Sequence, residues 1–348
     1  MKRLALLAPA LALASGVLLA QTANESVIDR ADRPGLPPAT PPAQDSSPAD
    51  ITEQTESGDA GVQRLAEPRK LPFKTTVAFD SQVYFTDNVQ LANDSSPSSN
   101  SDAVVVGNTL SVRVSGNPLA LGEGLLTPSA AVVYQNFRHG VGSDDTTRKD
   151  LDFDAYSLPL NLSYRFGQGW EASAGLTASA VYRIHGTGDY KRIISSYTPN
   201  LGLRKLIPIN QEQVLIISGT LSRSYTKATL DGVPLGLAAF RNDRNDKLEA
   251  ALDVTHYILK GPWTFVPYAR VSHADYAHYE EASFVTPASV DRADWTFSTG
   301  LVASYRVSQR LNARAFVGYE TRDSTAGAFD YSYDSGTLGL GLSVALTF

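Results

Sequence analysis

The sequence predicts an all-β fold: a transmembrane antiparallel up-and-down β-barrel of about twelve strands, preceded by a disordered N-terminal tether. Three observations predict it. The C-terminus alternates strictly between apolar and small residues, upstream segments repeat that period of two, and the connections between them alternate between short and long.

The chain has 348 residues, a size ordinary for one barrel. Residues 1–23 read as an export signal. Lys2 and Arg3 form a charged start, Leu4 to Ala20 an apolar run, and Ala20 or Ala23 can end it. A membrane anchor is the alternative, but Pro9 interrupts the run and a polar segment follows directly. There is no cysteine, which excludes a lipoprotein anchor, disulfides and thiolate metal sites. The formal charge of −6 argues against nucleic-acid binding.

Residues 24–70 change character. Arg33 to Asp50 is rich in Pro, Ala, Ser and Asp, and Ile51 to Pro68 is acidic and polar. Such a composition buries too little surface to offset its ordering entropy, so a disordered periplasmic linker is expected. A plain spacer is the simpler role. An arm for a periplasmic partner or the cell wall is the functional alternative.

Residues 71–348 carry the barrel pattern, clearest from Thr337 to Phe348. Leu338, Leu340, Leu342, Val344, Leu346 and Phe348 share one face, and Thr337, Gly339, Gly341, Ser343, Ala345 and Thr347 share the other. Strand candidates are 73–86, 103–116, 126–138, 151–166, 170–183, 190–206, 213–226, 247–259, 263–276, 293–307, 311–322 and 335–348. Each is near or above the roughly 9–11 residues that a tilted membrane strand needs. Short turns fall at Gly167–Gly169, Ile207–Glu212, Lys260–Pro262 and Ser308–Arg310. Long loops fall at 87–102, 139–150, 227–246, 277–292 and 323–334. With both chain ends in the periplasm, long loops lie outside and short turns inside, as outer-membrane barrels require. The exceptions are a long inner turn at 117–125 and a short outer loop at 184–189.

Lipid-facing rows follow from the period. Phe73, Val77, Phe79, Val83 and Phe85 form one; Val104, Val106, Leu110, Val112 and Val114 another. Tyr156 to Phe166, Trp170 to Tyr182, and Trp295 to Val307 continue the pattern on alternate residues, with aromatics near the row ends as in interfacial girdles. The third, seventh and ninth strands show less clear faces. Pro159 and Pro267 lie inside strands, where bulges or shifted boundaries are expected.

The opposite parity gives the interior. It carries Lys74, Arg113, Arg165, Arg183, Arg204, Arg306, Arg314 and Arg322 with Asp80, Glu171, Glu249, Asp253 and Glu320. Gln82, Thr109, Asn161, Ser163, Thr177, Asn200 and Asn312 are polar fillers. Charges at membrane depth are tolerated where they meet water or partners. The interior is therefore either a wet lumen, with a modest preference for anions, or a paired network that plugs the barrel. Loop 227–246 has an apolar centre, Val233 to Phe240, which either folds into the mouth or packs on neighbouring loops.

No enzyme is expected. Of five histidines (His139, His185, His256, His273 and His278), His273 shares a strand face with Asp275 near the outer rim. Ser272 and His273 are adjacent in a strand and so point apart, whereas a nucleophile and its base must meet. Asp144, Asp145, Asp150, Asp152 and Asp154 form an acidic outer edge, read as solvated; a cation bridging two of them to lipopolysaccharide is the alternative. Nothing calls for a cofactor.

Two stretches carry a resemblance. The terminal Phe348 behind alternating apolar residues resembles the signal read by the outer-membrane barrel assembly machinery. Ser81-Gln-Val-Tyr-Phe-Thr-Asp-Asn-Val89 resembles the first-strand Tyr-x-Asp-Asn feature of porin-like β-barrel families in environmental Gram-negative bacteria, with Phe85 inserted between Tyr84 and Thr86. The resemblance covers roughly 70–348 and implies an outer-membrane location, contact with lipid and lipopolysaccharide, and a channel-like or export-associated role. The expected function is a narrow porin-like channel for small polar or anionic solutes. The alternative is a structural or docking barrel serving polysaccharide or protein export without its own pore.

Overall fold

A computed structural model describes residues 73–89, 91, 102–140, 151–184, 190–228, 243, 245–281, 288–325 and 331–348. The export signal, the tether, the apolar centre of loop 227–246, Asp144, Asp145, Asp150 and His185 lie outside them.

Twelve long strands form the wall: β1 (Phe73–Thr86), β2 (Ala103–Gly116), β3 (Gly124–His139), β4 (Phe153–Phe166), β5 (Trp170–Ile184), β6 (Tyr190–Asn210), β7 (Gln213–Ala228), β8 (Lys247–Lys260), β9 (Trp263–Tyr276), β10 (Arg292–Arg306), β11 (Leu311–Ser324) and β12 (Tyr333–Thr347). Each pairs antiparallel with the next. β1 pairs with β12 from Thr76↔Thr347 to Thr86↔Thr337, which closes the ring. Closure leaves no edge strand, so every strand backbone can be satisfied inside a membrane. At the inner end of the seam, Thr75 and Phe348 exchange backbone hydrogen bonds of 3.1 and 2.9 Å.

The outward face is apolar and solvent-exposed. Leu338, Leu340 and Leu342 are 63%, 66% and 53% exposed, and Phe79, Val83, Leu158, Leu160 and Leu301 are exposed with them. In a water-soluble protein this band would be a liability; in lipid it is the solvating surface. Trp170, Trp263 and Tyr305 stand at the periplasmic ends of their strands, and Tyr156, Trp295 and Tyr319 toward the outer ends. These are the two expected girdles.

The first-strand motif staples the seam at its outer end. Asp87 accepts a 2.7 Å hydrogen bond from the Gly336 amide, Asn88 donates to the Asp334 carbonyl, and Thr86 meets Ser335 at 3.1 Å. Tyr84 turns inward onto Phe316.

Three expectations are corrected. Residues 117–125 are a hairpin rather than a long turn. Leu119–Leu121 pairs with Gly124 to Leu126 around Gly122, whose φ of 58° suits a residue without Cβ. The turn expected at Ile207–Glu212 is shorter, because β6 runs on to Asn210. Pro159 and Pro267 cause no register shift, although the register does shift between Pro208 and Asn210 at the end of β6. Opposite Pro159, Pro199 and Pro267 the ladder skips pairs on one side and resumes in register, because only the missing N–H donor is lost. A further bulge lies between Val181 and Tyr182. It leaves Ile193 unpaired, and Tyr190 and Arg192 then fall opposite the outward Ile184 and Tyr182.

Candidate functional site: the barrel lumen

Strand parity puts one set of side chains on the inner face, and charged members of that set pair with one another between neighbouring strands. At the periplasmic ends the interior is strongly basic. Lys74 is the second residue of β1, Arg113 lies three before the end of β2, and Arg165 is next to last in β4. Arg204 pairs in register with Glu171 near the start of β5, Arg306 ends β10, and Arg314 is fourth in β11. Glu171 is shared between Arg204 at 2.8 Å and Arg165 at 3.7 Å. Arg314 reaches Asp80 at 2.6 Å and Gln82 at 3.0 Å. Lys74, Arg113 and Arg306 are exposed to the lumen and make no ion pair among the described residues.

Midway, Arg270 on β9 spans two acids of β8. It lies 2.9 Å from Asp253 and 2.9 Å from Glu249, and Lys247 stands 3.6 Å from Glu249. Sequence reasoning placed Asp253 and Glu249 here but missed Arg270. The signal was present: Trp263, Phe265 and Val271 share the outward parity, so Arg270 takes the inward one.

Toward the outer mouth, Tyr333 donates to Glu320 and accepts from Arg322 at 3.4 Å, while Arg322 stands 3.8 Å from Asp294. Asp294 also holds Arg292 at 2.7 Å. The Arg292 guanidinium lies 4.3, 4.8 and 4.4 Å from the ring centroids of Tyr276, Tyr279 and Tyr331. This buried cation ringed by aromatics ties residues of loops 277–292 and 323–334 together. Sequence reasoning placed Arg322 and Glu320 in the interior but missed Tyr333, Asp294 and Arg292, which link them to the outer loops. Arg183 is buried at the outer end of β5.

The lumen wall also holds two apolar clusters. Val89, Val105, Phe153, Val181 and Ile194 form one near the outer ends of β1–β6, and Val214, Ile216, Tyr257, Val266, Val302 and Phe316 form the other on β7–β11. Tyr84 packs against both. The lumen ion pairs of Glu171, Glu249, Asp253, Asp80 and Asp294 with arginines of the wall join strands no more than two apart around the ring. The pairs therefore coat the wall and do not bridge it.

His273 lies 3.2 Å from Asp275 on the outward face and packs on Trp295, while Ser272 points inward. The acidic outer edge is already engaged where it is described. Asp154 accepts from Arg138 and Asn136 at 2.9 Å each and from Tyr134 at 3.2 Å, and Asp152 accepts from the His139 amide. No group of three His or acidic side chains that could hold a metal occurs among the described residues.

No family model matches the chain, and no curated protein matches it. Solved structures do. The NanC porin is 11% identical with a TM-score of 0.38, covering 77% of this chain and 100% of its own. An outer membrane channel from Pseudomonas putida F1 is 12% identical with a TM-score of 0.42, covering 80% and 99%. The translocator domain of the autotransporter NalP from Neisseria meningitidis is 13% identical with a TM-score of 0.38, covering 78% and 88%. These are likenesses of barrel architecture alone. The closed ring, the exposed apolar band and its aromatic girdles are this chain's own, and they make it a transmembrane β-barrel of the bacterial outer membrane.

Proposed function

We propose that the barrel is a narrow channel for small anionic solutes. The observation that carries this reading is the imbalance on the inner face toward the periplasmic mouth, where Lys74, Arg113, Arg165, Arg204, Arg306 and Arg314 outnumber the acids Glu171 and Asp80. Three of the six, Lys74, Arg113 and Arg306, are exposed and without an acidic partner among the described residues. Twelve tilted strands give a backbone ring about 24 Å across, wide enough for small solutes where side chains leave it open. A low-dielectric wall lined by one sign of charge raises the local concentration of the opposite ion.

Reversal potentials in planar bilayers under a salt gradient test this. The expected outcome is anion preference that reverses when Lys74, Arg113 and Arg306 are all changed to Glu. A folded, inserted protein that conducts nothing overturns it.

The two apolar clusters support a second reading, a structural or docking barrel without its own pore, with residues 24–70 reaching a periplasmic partner. In that case, deleting 24–70 abolishes partner capture and leaves the folded barrel heat-modifiable on gels.

A further inference from the structure

The outward face of the wall sorts its charges at the outer rim. On β9, β11, β12 and β1 these charges are the exposed acids Asp275, Asp323, Asp334 and Asp87. On β6 and β7, across the ring, they are Arg192, Arg223 and Lys227, and no acid among the described residues pairs with them. The bulge between Val181 and Tyr182 turns Arg192 outward, because it shifts the parity of the residues before Ile193. Arg223 bends toward the rim, its guanidinium 5.7 Å from the ring centroid of Tyr225, so the charge leaves the apolar band while its stem stays in it. Beside the cations, on β4 to β6, lies a patch of tyrosines. Tyr182 stacks on Tyr190 at 4.8 Å and meets Tyr156 edge-on at 5.7 Å, and the Tyr190 hydroxyl donates to the Tyr156 hydroxyl at 3.3 Å. Asp154, which faces outward here, is held by Arg138 at 2.9 Å.

We propose that this sector docks a lipopolysaccharide molecule of the outer leaflet. Arg192 and Lys227 hold its phosphate with Arg223 below them, and its sugars lie on the exposed rings of Tyr156 and Tyr190. Lys227 pairs with Ser195, three residues from Arg192, which puts the two Cα atoms about 10 Å apart. Long basic side chains converge over that distance, and a guanidinium fork matches two phosphate oxygens. Tyrosine suits the boundary, with an apolar ring for the lipid side and a hydroxyl for the wet side. The patch is continuous with the apolar band that carries the acyl chains. The acidic sector across the ring repels the same headgroup unless a divalent cation intervenes. The site lies outside the lumen and rests on the membrane location alone, so docking and conduction stand or fall separately.

Fluorescence anisotropy of lipopolysaccharide labelled on its sugars reads the binding, with full-length protein in zwitterionic detergent and a chelator that removes divalent cations. The unaltered chain is expected to bind the phosphorylated form at least about tenfold more tightly than the phosphatase-treated form. The Arg192→Gln, Arg223→Gln, Lys227→Gln variant, with its barrel still heat-modifiable on gels, should lose that preference. The Asp275→Asn, Asp323→Asn variant should keep it. Inorganic phosphate at millimolar concentration should not displace the glycolipid; displacement would overturn the proposal by assigning the cations to a free anion. Assemblies that form without glycolipid and fall apart in the Asp275→Asn, Asp323→Asn variant would overturn it by assigning them to the acidic sector of a second copy. Equal binding of the two forms by the unaltered chain overturns it as well, whether or not the triple variant folds.

Discussion

Arg314 on β11 passes the glycines of β12 to bring its guanidinium 2.6 Å from the Asp80 carboxylate on β1. The strand between them has to be bare for this. A Cβ on Gly341 would lie 2.9 Å from Arg314 Nε, and one on Gly339 would lie 2.4 Å from Tyr84 Cβ and 2.7 Å from the Val83 carbonyl. The small inward face of the last strand is the space into which its neighbours' side chains extend.

Gly339→Ala is therefore expected to be the more damaging of the two substitutions, because backbone and a side-chain root have to move, whereas at Gly341 the flexible Arg314 can shift. Overpacking of this kind costs about 1–3 kcal/mol. Urea unfolding of refolded barrels should show the larger loss for Gly339→Ala; equal losses would contradict the account of the seam.

The assignment of faces is open to a direct test. Leu340 points into lipid and is among the most exposed apolar side chains, whereas Thr177 on β5 faces the lumen. Leu340→Arg should cost about 2–4 kcal/mol near mid-membrane. Thr177→Arg should cost less than half of that. Unfolding in lipid vesicles measures both.

Arg292 is expected to act as a lock on the outer loops. Arg292→Ala leaves Asp294 buried without its closest cation, a loss of about 3–5 kcal/mol for a broken buried pair. Hydrogen exchange should quicken at Ala277, whose amide is bonded to the Asp246 carbonyl, and at Val290, whose amide is bonded to the Tyr279 carbonyl. Arg292→Lys should not restore protection, because an ammonium cannot stack between three rings while holding a carboxylate in a fork.

Phe348 is 71% exposed, so its side chain adds little to packing. Phe348→Ala should leave the stability of detergent-refolded protein nearly unchanged yet lower the amount of folded barrel recovered from cells. Equal loss in both settings would assign Phe348 a packing role in place of recognition by the assembly machinery.

The strand plan was legible because lipid imposes a period of two on every wall segment, and the expected β7 at 213–226 lies within Gln213–Ala228. Faces failed where the interior is itself apolar. Val266 on β9 and Ile216 on β7 are buried inside the barrel, opposite outward Val271 and Leu215, and alternation fades when both faces are oily. That ambiguity also hid Arg270. The cage around Arg292 escaped for a different reason: Tyr279 and Tyr331 come from loops, whose meeting depends on the closed ring and leaves no periodic trace.

The seam also constrains how the molecule is made. Thr76 and Thr347, whose hydroxyls meet at 3.3 Å, are 271 positions apart. Joining them is among the most distant contacts in the chain, and such contacts form slowly. The ring cannot close until the final residues have crossed the inner membrane. Until then β1 waits in the periplasm with one side unpaired, exposed to aggregation and dependent on whatever holds it soluble.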